Sequence, residues 1–215
     1  VPRNRRPQNR EEKQEEIIAA ARRLLIDDGF DSASTARIAK SAGVTVNTIY
    51  WYFQDKDELL IAVLDRILAE ALATYAEIDG LPLNEQLLWV VDQLEQLHGL
   101  VNTVHARVAT SHSVAAWHTG FHQLAGALFA DNLRAAGVAE TDLAAMSAIG
   151  TFVIEGLLTH QHDDVDKRAV IDLLVRSLTA TSGPPKVASS DVAAAQAHRA
   201  PARRISSDSR GDREP

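Results

Sequence analysis

Eight histidines stand in this 215-residue chain, and their spacing is the first feature with chemical meaning. His98, His105 and His112 recur every seven residues, while His118 and His122 are one helical turn apart. Two imidazoles at that spacing on one helix face can reach a single divalent ion. His160 and His162 run into Asp163 and Asp164, and Glu155 is a lone acid in an apolar stretch. Spacing supplies no third ligand to His118 and His122. The histidines therefore read as surface or pocket groups, with no metal and no cofactor assigned. A metal-dependent hydrolase on His118, His122 and Glu155 is the remote alternative. Zero cysteines remove disulfides, thiolate zinc sites and cysteine nucleophiles together. GxSxG, P-loop, dinucleotide and HExxH patterns do not occur. The chain does not read as an enzyme.

The net charge of −7 is divided unevenly. Residues 1–56 hold 10 Lys and Arg against 8 Asp and Glu, and residues 57–182 hold 6 against 17. Residues 183–215 return to 6 against 4. Arg3, Arg5, Arg6 and Arg10 precede the first acid. A basic end on an acidic body suits a protein that docks a polyanion with one end.

These groups need elements to hold them, and the apolar periodicity is helical. Ile17, Ile18, Ala21, Leu24 and Leu25 predict a helix over 10–27, stopped by Gly29. Short helices are expected over 35–42, capped by Ser34 or Thr35, and over 45–52. A long one opens near Asp55 and ends at the Gly80–Leu81–Pro82 break, followed by helices near 84–98, 101–111, 114–136, 140–161 and 165–181. No segment alternates as a half-buried strand does. The expected fold class is all-α, with a flexible basic arm at 1–9, a three-helix domain at 10–56, a helical body at 57–182 and a disordered tail at 183–215. The longest unbroken apolar run, Leu59 to Leu64, falls far short of the ~18 residues of a membrane span. Val1 to Arg10 is no secretory segment, so a soluble, cytoplasmic protein without membrane contact is expected.

The stretch TARIAKSAGVTVNTIYWYF, Thr35 to Phe53, carries the strongest pattern. Ala39 is small where two steeply crossing helices touch, and Gly43 supplies the positive φ of a tight turn four residues later. Ile38, Ala42, Val44 and Ile49 are spaced to fill the gap between the helices. This is a helix-turn-helix pattern, whose second helix enters the DNA major groove. Val46, Asn47 and Thr48 then occupy the first turn of that helix, after Thr45. Asn47 suits adenine, and Val46 suits a thymine methyl. Thr48, Tyr50 and Tyr52 carry hydroxyls for phosphates, while Thr35 and Lys56 sit at helix starts that face phosphate. Arg37 is a further base or phosphate contact. Phe53 and Trp51 read as core.

With the continuation TIYWYFQDKDELL, the chain resembles the tetracycline-repressor (TetR) family of bacterial transcription regulators. Tyr50, Phe53, Lys56 and Leu59 match the family's YxxF-x-x-K-x-x-L join, and Gly29–Phe30, Thr35 and Ile38–Ala39 also match. SAIGTFVIEGLLTHQHD, from Ser147, is similar to the helix before the dimer-forming helix in repressors near the family's namesake. Relatives place long polar base-readers at the positions of Ala36 and Val46, so the operator is left open. The resemblance implies a homodimeric repressor released from a palindromic DNA operator by a small-molecule effector. A regulator without effector, controlled by a partner or acting as an activator, is the alternative. The effector pocket so implied falls on Trp89, His105, Trp117, His118, Phe121, His122, Phe152 and Glu155, whose aromatic walls and few polar groups suit a ligand. Glu155 fits either a ligand contact or a pair across the dimer. The helix over 141–160 is apolar nearly all round and needs cover on both sides. Met146, Ile149, Val153 and Leu157, with Leu173 and Leu174 of the next helix, are the expected dimer interface.

Overall fold

The computed structural model describes residues 10–160 and 162–180. The basic arm over 1–9 and the tail over 183–215 lie outside the described residues. Among those described there are ten helices and no strand.

The first five are α1 (Arg10–Asp27), α2 (Gly29–Ser32), α3 (Thr35–Ser41), α4 (Val46–Tyr52) and α5 (Lys56–Glu77). Gly29 does end α1, at a φ of +80°, but the chain turns at once into α2, a four-residue helix with no counterpart in the sequence reading. Ile17, Ile38, Ile49, Leu59 and Val63 are fully buried between these helices. Each such side chain contributes about 1.5–3 kcal/mol of transfer free energy. Leu100, Val104 and Val114 complete this core. They come from α7 (His98–Val108) and α8 (His112–Ala135), so the first half of α5 is gripped by helices of the body.

The second core joins α6 (Leu83–Gln96), the end of α8, α9 (Glu140–Thr159) and α10 (Asp164–Ala180). α6 runs almost directly into α7 through Leu97, and Gly99 lies inside the first turn of α7 rather than in a gap between helices. Val91, Leu133 and Ile171 are buried at the centre. Gly150 lets α9 approach α8 closely, because a Cβ there would come within 2.2 Å of the Phe129 ring. The buried Gln86 amide is satisfied: it donates to the carbonyls of Asp79 and Leu81 and accepts from the Tyr75 hydroxyl. Lys167 clips α10 to α6 by donating to Asp92 at 2.6 Å and Glu95 at 2.9 Å. Those bonds hold its ammonium well above the ordinary lysine range.

α9 is long and apolar enough to cross a membrane by length and composition, with a mean hydropathy of 1.4. It nevertheless packs on α8, α6 and α10 along one side. Its other side is open, with Phe152 69% and Ile149 48% exposed, and Leu173 of α10 is exposed as well.

Candidate nucleic-acid interface and histidine cluster

The turn between α3 and α4 closes by local hydrogen bonds. Val44 N–H donates to the Ala39 carbonyl at 2.9 Å and Gly43 N–H to that of Lys40 at 3.3 Å, with Gly43 at a φ of +65°. This is a Schellman stop, which requires a left-handed residue where glycine alone is unstrained. Ser34 caps α3 by accepting from Arg37 N–H, and Thr45 caps α4 by accepting from Thr48 N–H at 3.2 Å. The hydroxyls of Thr45 and Thr48 also bond each other at 2.9 Å.

Seating α4 then decides which side chains remain outside. Ile49 and Phe53 are buried one turn apart, and Val46 and Tyr52 pack partly against the same core. The opposite face presents Asn47, Tyr50 and Trp51. Trp51, read from the sequence as core, is 62% exposed. It sits two residues past Ile49, roughly 200° around a 3.6-residue helix, and so cannot share its face. The Arg10 guanidinium lies 4.6 Å over its ring. Tyr50 and Thr35, fifteen positions apart in the chain but adjacent in space, bring their hydroxyls within 3.4 Å across α3 and α4.

Two of the residues expected at DNA also make contacts within the protein. Arg37 donates to Asp28 at 2.7 Å and to the Ser32 carbonyl at 2.8 Å, which ties α3 to the α1–α2 turn. Lys56 donates to the Phe30 carbonyl and lies 4.1 Å over the Phe30 ring. Burial lowers its pKa from the ordinary 10.5, against the opposing pull of Asp31. An ammonium so placed holds α2. Arg107 of α7 stacks on the same ring at 4.6 Å and bonds Asp57 at 2.6 Å, so the body grips the first turn of α5. Burial pushes the Asp57 carboxyl up, but Arg107 outweighs it and the pKa lies below the usual 3.8.

In the body, six of the eight expected pocket residues come together around α8. Trp117 stacks on Phe121 with ring centres 5.6 Å apart and donates from its indole to Asp65 at 2.7 Å. His118 and His122 approach to 3.0 Å between Nε2 atoms, and Glu155 of α9 lies 3.6 Å from His122. His105 of α7 joins them, its ring 5.2 Å from that of His118. Burial, then the His122 and His105 charges, hold His118 below the ordinary 6.5, while Glu155 acts in the other direction. A third imidazole is thus brought to the pair by another helix, which spacing along α8 had no means of revealing. Trp89 is elsewhere, packed on Tyr75 at 6.1 Å, and Phe152 is on the open face of α9. A cleft of about 590 Å³ opens between α6 and α10 beside Leu88, Glu95 and Lys167, away from the expected pocket residues.

The expected dimer interface also divides. Ile149 and Leu173 are exposed, Met146 and Val153 are half-buried, but Leu157 and Leu174, at 9% and 7% exposure, belong to this chain's own second core. α9 and α10 turn those two residues inward against α6, away from the open face.

Residues 17–63 match the family model described as bacterial regulatory proteins, tetR family. A search of curated proteins finds no match. Solved structures share the fold over most of their length. A transcriptional regulator from Rhodococcus sp. Rha1 is 19% identical with a TM-score of 0.65, covering 80% of this chain and 99% of that one. A transcriptional regulator from Saccharomonospora viridis, solved in complex with choline, is 19% identical with a TM-score of 0.64, covering 78% and 97%. GusR of Salmonella enterica is 20% identical with a TM-score of 0.63, covering 82% and 98%.

Proposed function

We propose that this chain, whose residues 17–63 match the tetR-family model, is a DNA-binding transcriptional regulator and acts as a homodimeric repressor, released from a palindromic operator by an effector bound in its helical body. The observation that carries this reading is the α4 face of Asn47, Tyr50 and Trp51, left outside while Ile49 and Phe53 seat the helix. In this reading Asn47 reads a base edge. Tyr50, Thr35 and the capped start of α4 meet phosphates, and Trp51 packs against the DNA backbone. Thr45, Val46 and Thr48 set the entry of α4, while Arg37 and Lys56 position α2 and α3.

The open strip of Ile149, Phe152 and Leu173 supports dimerisation, since an uncovered apolar face of this kind marks an interaction site. Two copies related by a two-fold axis would offer two recognition helices to successive major-groove faces. Effector response finds support in the polar and aromatic cluster at α7, α8 and α9, and in a neighbour of the same fold that holds choline. Release follows if an effector binds better to the chain conformation in which α7 shifts against Asp57 and Phe30. A cytoplasmic location follows from work on DNA.

Selection of bound sequences from a random DNA pool at two salt concentrations tests the reading. An enriched palindrome with half-sites a helical turn or a multiple apart is expected. Binding to every sequence with a steep salt slope and no enrichment would overturn it. Side-chain roles separate on the selected operator. Tyr50→Phe should weaken all variants alike by about 1 kcal/mol, the loss of one hydrogen bond. Asn47→Ala should relax preference at one base pair of each half-site, read by repeating the selection. A Tyr50→Phe effect confined to one operator variant would reverse the two assignments.

A further inference from the structure

The structure gathers one nitrogen from each of His105, His118 and His122 so that all three lie within 4.8 Å of one another. We propose that these three imidazoles, with the Glu155 carboxylate as fourth donor, form a site for one divalent transition-metal ion of the zinc class, and that the ion sets the position of α7.

The distances suit the chemistry. An ion holding nitrogens at about 2.0–2.1 Å in a tetrahedron keeps them roughly 3.3–3.4 Å apart. His118 and His122 stand at 3.0 Å, and Glu155 Oε1 is 3.6 Å from His122 Nε2, so two edges of the tetrahedron are already near their final lengths. The third imidazole, within 4.8 Å of the other two, closes the remaining distance by an approach of α7 to α8, and His105 is on the exposed side of the cluster, where an ion enters. Three imidazoles and one carboxylate favour zinc, nickel or copper over magnesium or calcium, which prefer all-oxygen shells. The donors also come from three different helices: α7, α8 and α9. An ion therefore fastens three elements together at one point. Without one, the His118–His122 hydrogen bond lies within α8 and fastens no second helix, and His105 meets α8 through the edge contact of its ring on His118.

The position of His105 gives the site a consequence. Two residues further along α7, Arg107 holds Asp57 and stacks on Phe30 at the first turn of α5 and in α2. Drawing His105 onto α8 moves the helix that carries Arg107, and so acts on the packing beneath α3 and α4. This second step rests on the DNA-binding reading above; the ion site does not.

The test uses the full, tag-free chain. Zinc is titrated in competition with a chromogenic chelator, and cobalt(II) is added as a spectroscopic stand-in. One ion per chain is expected, with the strong visible absorption of four-coordinate cobalt. His105→Ala and His118→Ala should each lower zinc affinity about 100-fold or more, and Glu155→Gln about 10–100-fold. His112→Ala, at the start of α8 outside the cluster, should leave it unchanged. Circular dichroism confirms that each variant keeps its helices. Wild-type chain that binds no stoichiometric zinc, or binds it as well after both histidine substitutions, overturns the site. With the site filled, affinity for the selected operator should change about 5-fold or more, within the usual range of coupling between sites, and His105→Ala should abolish that change. Unchanged operator affinity at full occupancy overturns the coupling through α7. Stoichiometric zinc with no DNA bound under any condition upholds the site and counts against the DNA-binding reading.

Discussion

Replacing Phe152 and Ile149 together by aspartate is expected to turn a dimer into a folded monomer and to lower operator affinity about 10²–10⁴-fold. The loss follows from linkage: two joined half-site readers bind the second half-site intramolecularly, and separating them forfeits that advantage. Both side chains are exposed on the open face of α9, so neither supports this chain's own core. Two carboxylates per copy, brought against their counterparts in an apolar seam, would be desolvated and repelled. Sedimentation velocity reads the assembly, operator titration the affinity, and the helical circular dichroism signal the fold. An unchanged sedimentation coefficient would remove this face as the interface. The companion substitution Leu157→Asp should behave differently, because Leu157 is buried within the chain and its loss unfolds the body rather than dividing a dimer.

Ile49→Ala should cost about 2–5 kcal/mol of stability, the usual range for truncating a fully buried isoleucine. Ile49 is the one fully buried residue of α4, and Ile17, Ile38 and Leu59 share its core. A seven-residue helix has too few internal hydrogen bonds to persist by itself. Its orientation therefore depends on that seat, and specific DNA binding should fall with it even where most chains remain folded. Urea unfolding measures the stability and operator titration the binding. A loss below about 0.5 kcal/mol, the range of ordinary surface changes, would show that α4 is not held by this contact. Trp51→Ala is the useful contrast. Its side chain faces outward, so it should spare stability and lower DNA affinity.

Much of the DNA-binding end is legible before folding, because the forces that shape it are local. The stop at Ala42–Gly43–Val44 needs only a residue at ease with positive φ. The cap at Thr45 needs only a side-chain oxygen three residues before an unpaired N–H. Helical periodicity likewise separates Ile49 and Phe53 from Asn47 and Tyr50. Trp51 was misread because a large aromatic is usually buried, although its position two residues past Ile49 already set it on the other face.

The sequence by itself determined the all-α architecture, the helix-turn-helix and the placing of His118 and His122 on one helix face. Each of these follows from caps, turns and periodicity within a few residues. Tertiary structure alone decided which faces meet. It carried His105 from α7 to the His118–His122 pair and drew Arg37 and Lys56 into contacts around α2. It also turned Leu157 and Leu174 inward while leaving Phe152 outside. The reason is physical: periodicity establishes which residues share a face of one helix, but the neighbour opposite that face is chosen by how all the helices pack together.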